Sequence, residues 1–148
     1  FDLLYVGEDG QQHRPVMLHR VVFGSIERFI AILTEHFAGD FPTWLAPVQV
    51  RVIPISEAHI DYAERVRDTL RESGIRVETD SRNEKVGYKI RQGEIAKIPY
   101  MLIVGDREKE NAQVSVRLRH KGDIGSMSVD EFRRRLQDEI DRKLIQTN

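Results

Sequence analysis

The residues best suited to chemistry lie between Arg82 and Arg91, in the stretch RNEKVGYKIR. Four of its ten positions are basic, and an Asn and a Tyr stand among them. Guanidinium and ammonium groups bind phosphates, an Asn amide can pair with a base edge, and a Tyr ring can stack on an unpaired base. The stretch is therefore a candidate for nucleic-acid binding. By residue type alone, such a run is more often a solvated helix start whose charges face water.

The charges of the chain are unevenly distributed. The net charge is −1, which by itself argues against a nucleic-acid ligand, but residues 82–121 carry ten Lys or Arg and only five Asp or Glu. A local excess of positive charge can attract a polyanion even when the whole chain is slightly acidic. Arg117, Arg119 and Lys121 alternate in this region. They either extend a track of phosphate contacts or form the solvent-facing side of a strand.

Two further positions suit a ligand less clearly. His19 has no Cys and no second His close by, which is more typical of a structural or solvated His than of a metal ligand. Arg28 lies one turn inside a predicted helix that begins at Gly24 and Ser25, where backbone amides and a guanidinium suit an anion such as a nucleotide phosphate. A surface salt bridge between Arg28 and a neighbouring Glu is the alternative.

Composition limits the classes of protein to consider. Of the 148 residues, 40% are hydrophobic and 32% are charged, as in ordinary globular proteins. No apolar run approaches the roughly 20 residues that a membrane-spanning helix requires. The chain contains no Cys, so it has no disulfide framework and no thiolate metal site, which fits a reducing compartment. No Ser, His and Asp set can be assembled from the spacing, so hydrolytic catalysis is not supported.

The pattern before residue 48 predicts a hairpin followed by a helix. Two strands and one helix are predicted, over residues 1–6, 14–23 and 25–37. Gly10 suits the turn, Ser25 can cap the helix and Gly39 can end it. These elements are too few for a core of their own, and the chain does not begin with Met. We therefore expect them to be part of a domain whose other strands lie in a longer protein.

From Val48 onward strands alternate with helices. Strands are predicted over 48–55, 75–78, 100–104 and 113–119, a turn over 106–111, and helices over 56–74, 86–98 and 128–145. The alternation implies a βαβ start with parallel pairing, and an antiparallel strand after the turn makes the sheet mixed. Residues 40–47, DFPTWLAP, are interpreted as an ordered connector because two prolines and Trp44 restrict the backbone. An ordinary loop within one domain is the alternative.

Segments from the whole chain together resemble the threonyl-tRNA synthetase family, which belongs to the class II aminoacyl-tRNA synthetases. They read RPVMLHRVVFGSIERFIAILTEHFAGDFPTWLAPVQV, DSRNEKVGYKIR, KIPYMLIVGDRE and VSVRLR. The resemblance implies that residues 1–39 are a remnant of the antiparallel catalytic domain with its third motif, that 40–47 form a connector, and that 48–148 form an anticodon-binding domain. It further implies that this last domain is an α/β fold with a mixed five-stranded sheet flanked by helices.

The same resemblance assigns roles in the first 39 residues. Arg28 is similar to the third-motif arginine that contacts ATP, with Gly24 and Ser25 beside it, which favours nucleotide binding over a salt bridge. His19 is similar to the family's third zinc ligand, whose metal binds the amino and hydroxyl groups of threonine. The other two ligands, a Cys and a His, would lie upstream of this chain. One protein ligand cannot hold zinc tightly, so we expect neither zinc nor ATP with magnesium on this chain alone.

In the second domain the resemblance points to RNA contacts. Four residues match positions that read anticodon bases, and Lys85 lies near them: Asn83, Arg91, Glu108 and Arg117. The carboxylate of Glu108 can accept a hydrogen bond from a base amino or imino group. The stretch from Arg82 to Arg91 is expected to form one wall of the pocket, and Glu108 with Arg117 the other. Tyr88 and Lys89 then take a supporting role.

The family activates threonine with ATP and transfers it to its tRNA. The resemblance therefore implies a cytoplasmic, homodimeric parent ligase, of which this chain supplies tRNA anticodon recognition. The first two class II motifs, the editing domain and two zinc ligands are not in the chain, so we expect it to be inactive in aminoacylation by itself. A synthetase-like protein-interaction module without RNA binding is the alternative, and the helix that begins at Ser128 could form a dimer surface in either case.

Overall fold

In the computed structural model of the protein, residues 2–145 are described, and they fold as two compact units that divide after Leu33. The first unit contains a two-stranded antiparallel pair, β1 (Tyr5–Val6) and β2 (Gln12–His13). Helix α1 (Ile26–His36) begins in the first unit and ends in the second, which confirms the predicted helix. A left-handed Gly10 lies in the turn of the hairpin, as its sequence suggests.

The hairpin is present, but its strands are shorter than the pattern predicts. The predicted strand over 14–23 is wrong, because those residues form no strand and their apolar side chains are exposed. A strand needs a neighbour that satisfies its backbone N–H and C=O groups, and none of the described residues pairs with this segment. Phe1, the first residue of the predicted strand 1–6, lies outside the described residues.

The second unit is built on a mixed five-stranded sheet, which confirms the fold that the resemblance implies. Its strand order is β4-β3-β5-β6-β7. Its strands are β3 (Val50–Pro54), β4 (Val77–Thr79), β5 (Tyr100–Val104), β6 (Gln113–Leu118) and β7 (Gly122–Ser128). Its helices are α2 (Ile60–Glu72), α3 (Val86–Ile95), α4 (Asp106–Glu110) and α5 (Val129–Asp141). Strands β3, β4 and β5 are parallel to one another, and β5, β6 and β7 pair antiparallel.

Different helices cover the two faces of the sheet. One face buries alternate strand residues under α2 and α5, among them Val50, Val52, Tyr100, Leu102, Val104, Val114 and Val116. The other face carries α3, which lies so close to the sheet that a Cβ on Gly93 would overlap Met101 Sδ. The connection through α2 runs from β3 to β4, and the connection through α3 runs back in the opposite direction, from β4 across β3 to β5. Because such crossovers are right-handed, α2 and α3 lie on opposite faces of the sheet.

Three local predictions differ from the structure. The predicted turn over 106–111 contains α4, whose first turn is capped because Glu108 accepts a hydrogen bond from the Gly105 backbone. The pattern does not predict β7, whose sequence GDIGSMS has two glycines and little alternation, yet pairing with β6 satisfies its backbone. Helix α3 ends at Ile95, earlier than predicted, because Lys97 adopts the left-handed conformation at φ 56°.

The segment 40–47 lies inside the second unit and is tied to it by hydrogen bonds. Arg76 donates to the carbonyls of Trp44 at 2.8 Å and Ala46 at 2.9 Å. Gln49 Nε2 donates to the Thr43 carbonyl at 2.9 Å. The assignment of a catalytic remnant, a connector and an anticodon-binding domain to successive parts of the chain stays a prediction. None of the helices within the described residues is long and apolar enough to cross a membrane.

Candidate nucleic-acid interface

The carboxyl ends of β3, β4 and β5 lie at one edge of the sheet, and the segments that follow them carry candidate residues. Asn83 follows β4, and Glu108 lies in α4 after β5. Asn83 and Ile55 line one small crevice at this edge. A Cβ on Gly105 would come within 2.6 Å of Ile55 Cδ1 and 3.2 Å of Glu108 Oε2. The fold therefore brings Asn83 and Glu108 to the same edge, beside Ile55, as parallel strands require.

Glu108 has a structural role that any RNA contact must share. Its Oε2 accepts a hydrogen bond from the Gly105 N–H at 3.0 Å and so caps α4. The side chain is half-buried. A carboxylate has about four lone-pair sites, so this cap leaves capacity for a donor such as a base amino group.

Arg82 orders the loop that carries Asn83. Its Nε and Nη2 donate to the two carboxylate oxygens of Asp80 at 2.8 and 2.6 Å, and its guanidinium lies 5.9 Å from the centre of the Tyr88 ring. The hydrogen bond from Arg82 holds the pKa of the Asp80 carboxyl below its usual value. The planar fork of Arg82 is therefore occupied by the protein itself, and the stretch offers fewer phosphate ligands than its four basic residues suggest.

Helix α3 presents Lys89 and Gly93 to the sheet and Arg91 to solvent. Lys89 is only 3% exposed, and its ammonium donates to the carbonyls of Asp80 at 3.0 Å and Pro54 at 3.4 Å. It thus ties α3 to the carboxyl ends of β3 and β4. Arg91 is exposed and forms no ion pair with any residue from 2 to 145. A guanidinium without an acidic partner is free to bind an anion or a base edge.

Arg117 lies on the face of the sheet that carries α3, because its neighbours Val116 and Leu118 point into the opposite core. It is half-buried, and its Nε is buried without a hydrogen-bond acceptor in the part of the chain that the structure describes. Arg117 pairs in register with Met101, near the start of β5. Three residues of strand, about 10 Å, separate that level from Val104. Arg117 and Glu108 therefore border different parts of the interface rather than a single wall.

Arg119 is bonded inside the protein, so both interpretations of it, as a phosphate contact or as a solvent-facing residue, are wrong. Its Nη1 donates to the Lys97 carbonyl at 2.7 Å, its Nη2 to the Phe41 carbonyl at 2.9 Å, and its Nε lies 2.7 Å from Asp40 Oδ1. Burial lowers the pKa of the Arg119 guanidinium. The residue anchors the segment 40–47 instead of extending the interface.

The burial of Lys89 is the feature of this interface that sequence reasoning underestimates. Residues four apart share one helix face, so Lys89 and Gly93 point in the same direction. A glycine on that face indicates a close approach to another element. The spacing of Lys89 and Gly93 is therefore the signal that could have predicted an inward-facing lysine.

In the first unit the candidate residues lie at and before the start of α1. Gly24 is left-handed at φ 67°. Ser25 Oγ accepts from the Arg28 backbone N–H at 3.4 Å and donates to Glu27 Oε2 at 2.6 Å. The Arg28 side chain is exposed and pairs with no acid among the described residues. His19 is also exposed, and residues 2–145 contain no group of three His, Cys, Asp or Glu placed to hold a metal ion.

Comparison with known families identifies the fold. A family model described as the anticodon binding domain matches residues 49–139, which include β3 to β7 and most of α5. The chain belongs to this family. All four proposed base-reading residues lie within the matched range.

Comparison with individual proteins confirms the resemblance to threonyl-tRNA synthetases. The chain is 63% identical over 145 residues to a threonine–tRNA ligase of Caldanaerobacter subterraneus, and 59% identical over 148 residues to one of Clostridium tetani. These alignments cover 98% and 100% of this chain but only 22% and 23% of the relatives, so the chain spans less than a quarter of their length.

A solved structure agrees with the fold. The RNA binding domain of threonyl-tRNA synthetase from Cryptosporidium parvum superposes with a TM-score of 0.74 at 32% identity. The match covers 92% of this chain and 34% of that one.

Proposed function

We propose that the second unit recognises the anticodon of a threonine tRNA, as one part of a larger threonine–tRNA ligase. The observation that carries this proposal is the exposed Arg91 guanidinium, which forms no ion pair with the described residues and lies in the range that matches the anticodon binding family. A guanidinium without an acidic partner can bind a base edge or a phosphate. Lys85 is also exposed, has no acidic partner among the described residues and adds a second positive charge beside helix α3.

The residue types suit two kinds of contact. Asn83, Arg91, Glu108 and Arg117 carry planar amide, guanidinium and carboxylate groups, which can form paired hydrogen bonds with base edges. Lys85 carries a single ammonium point charge, which suits a phosphate. We therefore assign base reading to the first four residues and a backbone contact to Lys85.

The proposed parent ligase uses threonine and ATP. In that setting Arg28, with Gly24 and Ser25 beside it, would contact ATP and its magnesium-bound phosphates, and the exposed guanidinium of Arg28 fits that task. By the family resemblance His19 would be one of three zinc ligands, and it does not make a metal site with the described residues of this chain, so we assign no step to zinc here. A homodimeric parent belongs to the same proposal and rests on the family resemblance. A cytoplasmic location also belongs to it, and the Cys-free sequence fits a reducing compartment.

Binding of two RNA hairpins tests the proposal. One hairpin has a loop with the threonine anticodon, and the other has the same stem and a permuted loop. We expect the chain to prefer the first, with an affinity that falls with salt by a slope of about −0.7 per phosphate contact. Equal affinity for both loops, or no dependence on salt, would contradict anticodon recognition.

Variants separate the two kinds of contact. Arg91→Ala and Arg117→Ala should each reduce the preference for the threonine loop by about 1 to 3 kcal/mol, whereas Lys85→Ala should weaken both hairpins alike. Arg135→Ala is the matched control. It removes the same charge from an exposed position on α5, which packs on the other face of the sheet.

A further inference from the structure

Lys89 is a buried cation held by neutral groups. Its ammonium donates hydrogen bonds to the backbone carbonyls of Asp80 and Pro54, and the second is long, at 3.4 Å. No carboxylate among the described residues forms an ion pair with it: the Asp80 carboxylate bonds Arg82, and Lys89 acts on it only through its charge, which helps to lower the pKa of the Asp80 carboxyl. A buried charge is expected to be paired or fully hydrogen-bonded. An ammonium has three N–H donors, so one donor of Lys89 has no partner in residues 2–145.

A small crevice adjoins Lys89. Lys89, its partner Pro54 and the proposed base reader Asn83 all line it, together with Ile55 and Ser56. Its volume is about 30 Å³. That is room for a single oxygen-sized group and too little for an aromatic ring. The crevice therefore suits one acceptor atom that projects from a larger ligand bound at the surface.

We infer that Lys89 is a specificity-determining residue of the RNA interface, whose ammonium donates to one acceptor oxygen that enters the crevice beside Asn83. This inference rests on the proposed RNA binding and names a contact within it. The oxygen belongs to an exocyclic base carbonyl or to a backbone phosphate. Both groups present a single acceptor oxygen that is small enough to enter the crevice. The ammonium of Lys89 can donate to such an oxygen, whereas an amino group would face it donor to donor. Glu57 and Glu84 also line the crevice, but they are exposed, so solvent screens their charges more than that of the buried Lys89.

The test uses the whole chain and a series of RNA hairpins with the threonine anticodon. In one arm each base carbonyl of the loop is removed in turn, for example by 2-aminopurine in place of guanine. In the other arm each loop phosphate is replaced in turn by a methylphosphonate. We expect one substitution to cost the wild-type protein about tenfold or more in affinity. The arm in which it occurs identifies the source of the oxygen.

The Lys89→Met variant should bind the unmodified hairpin about tenfold more weakly and should be indifferent to the substitution that harms the wild type. Lys143→Met is the control, because Lys143 is exposed, follows α5 and lies outside the crevice. If Lys89→Met loses affinity but still responds to every substitution as the wild type does, Lys89 is only structural and the inference is wrong. Unchanged affinity of Lys89→Met for the unmodified hairpin would also overturn the inference about Lys89. The proposed function is tested separately, because it would still be supported if Arg91→Ala lost the preference for the threonine loop.

Removal of a buried lysine can unfold a protein, so a measurement on the wild type is needed as well. The ammonium resonance of Lys89, observed by 15N NMR, should shift when the unmodified hairpin is added and should not shift with the hairpin that lacks the contacted oxygen. An equal shift with both hairpins, or none with either while both bind, would exclude the contact without any variant.

Discussion

Arg119 and Asp40 form an ion pair that joins the end of β6 to the segment leading into the domain, with Arg119 Nε 2.7 Å from Asp40 Oδ1. The two side chains are only 8% and 20% exposed. His120 Nε2 lies 2.6 Å from the other carboxylate oxygen. Because Arg117 lies two residues before Arg119, the strand that presents a proposed base reader also anchors the segment 40–47.

Replacing Arg119 with Met should lower the free energy of unfolding by about 3 kcal/mol, because the Asp40 carboxylate loses its ion-pair partner and two backbone carbonyls lose their hydrogen-bond donor. Urea unfolding followed by the fluorescence of Trp44, which lies in the anchored segment, measures the change. Arg142→Met is the control. Its ion pair with Asp138 is 3.3 Å long with both side chains more than 60% exposed, so a change within about 0.5 kcal/mol is expected. Similar losses in both variants would contradict a special role for Arg119.

The sequence predicts elements whose signal is local and misses those that depend on distant partners. Helix α5 is evident because Phe132 and Leu136 repeat at helical spacing and Ser128 caps the start, accepting from the Glu131 N–H at 3.2 Å. Strand β7 is missed because its order comes from pairing with β6. The segment 14–23 looks like a strand by composition alone, yet no described residue pairs with it.

For the candidate site, too, the sequence predicts local features and misses contacts between residues that are distant in the chain. The family resemblance, rather than the alternation of strands and helices, predicts that Asn83 and Glu108 border one pocket, and the structure places both at the carboxyl edge of the parallel strands. Alternation along β6 places Arg117 and Arg119 on one face, but it cannot reveal that Asp40, far away in the sequence, occupies Arg119. Charged residues thus show where cations are available, while only the fold shows which of them are already paired.

The Asp80 carboxyl should make stability depend on pH in the acid range. The hydrogen bond from Arg82 lowers its pKa in the folded protein, so it contributes stability above its unfolded pKa of about 3.9 and loses that contribution as pH falls through the lower folded value. Asp80→Asn should therefore be less stable than the wild type at pH 7, and the difference should shrink below about pH 4.

Urea unfolding at pH 7 and at pH 3 measures the effect. Glu72→Gln serves as the control, since Glu72 is exposed and makes no ion pair with another described residue. Parallel pH profiles of the wild type and Asp80→Asn would show that the bonds with Arg82 add no stability.

The two glycines of α3 should respond in opposite directions to the same substitution. At Gly93 an added methyl group would overlap Met101 Sδ and lie 3.3 Å from its Cγ, and Met101 is only 1% exposed, so Gly93→Ala should cost about 1 to 3 kcal/mol. At Gly87 a Cβ meets nothing within 4 Å, so Gly87→Ala should be neutral or stabilise by up to about 1 kcal/mol.

Thermal unfolding of both variants, with hairpin affinity measured alongside, tests how closely α3 packs against β5. A helix pushed away from the sheet at Gly93 also displaces Arg91, so Gly93→Ala should weaken RNA binding, whereas Gly87→Ala should leave it unchanged. If both variants shift the unfolding temperature in the same direction by the same amount, α3 does not lie as close to β5 as its contact with Met101 indicates. If Gly93→Ala is destabilised but binds the hairpin normally, Arg91 does not depend on the seating of α3 to reach RNA.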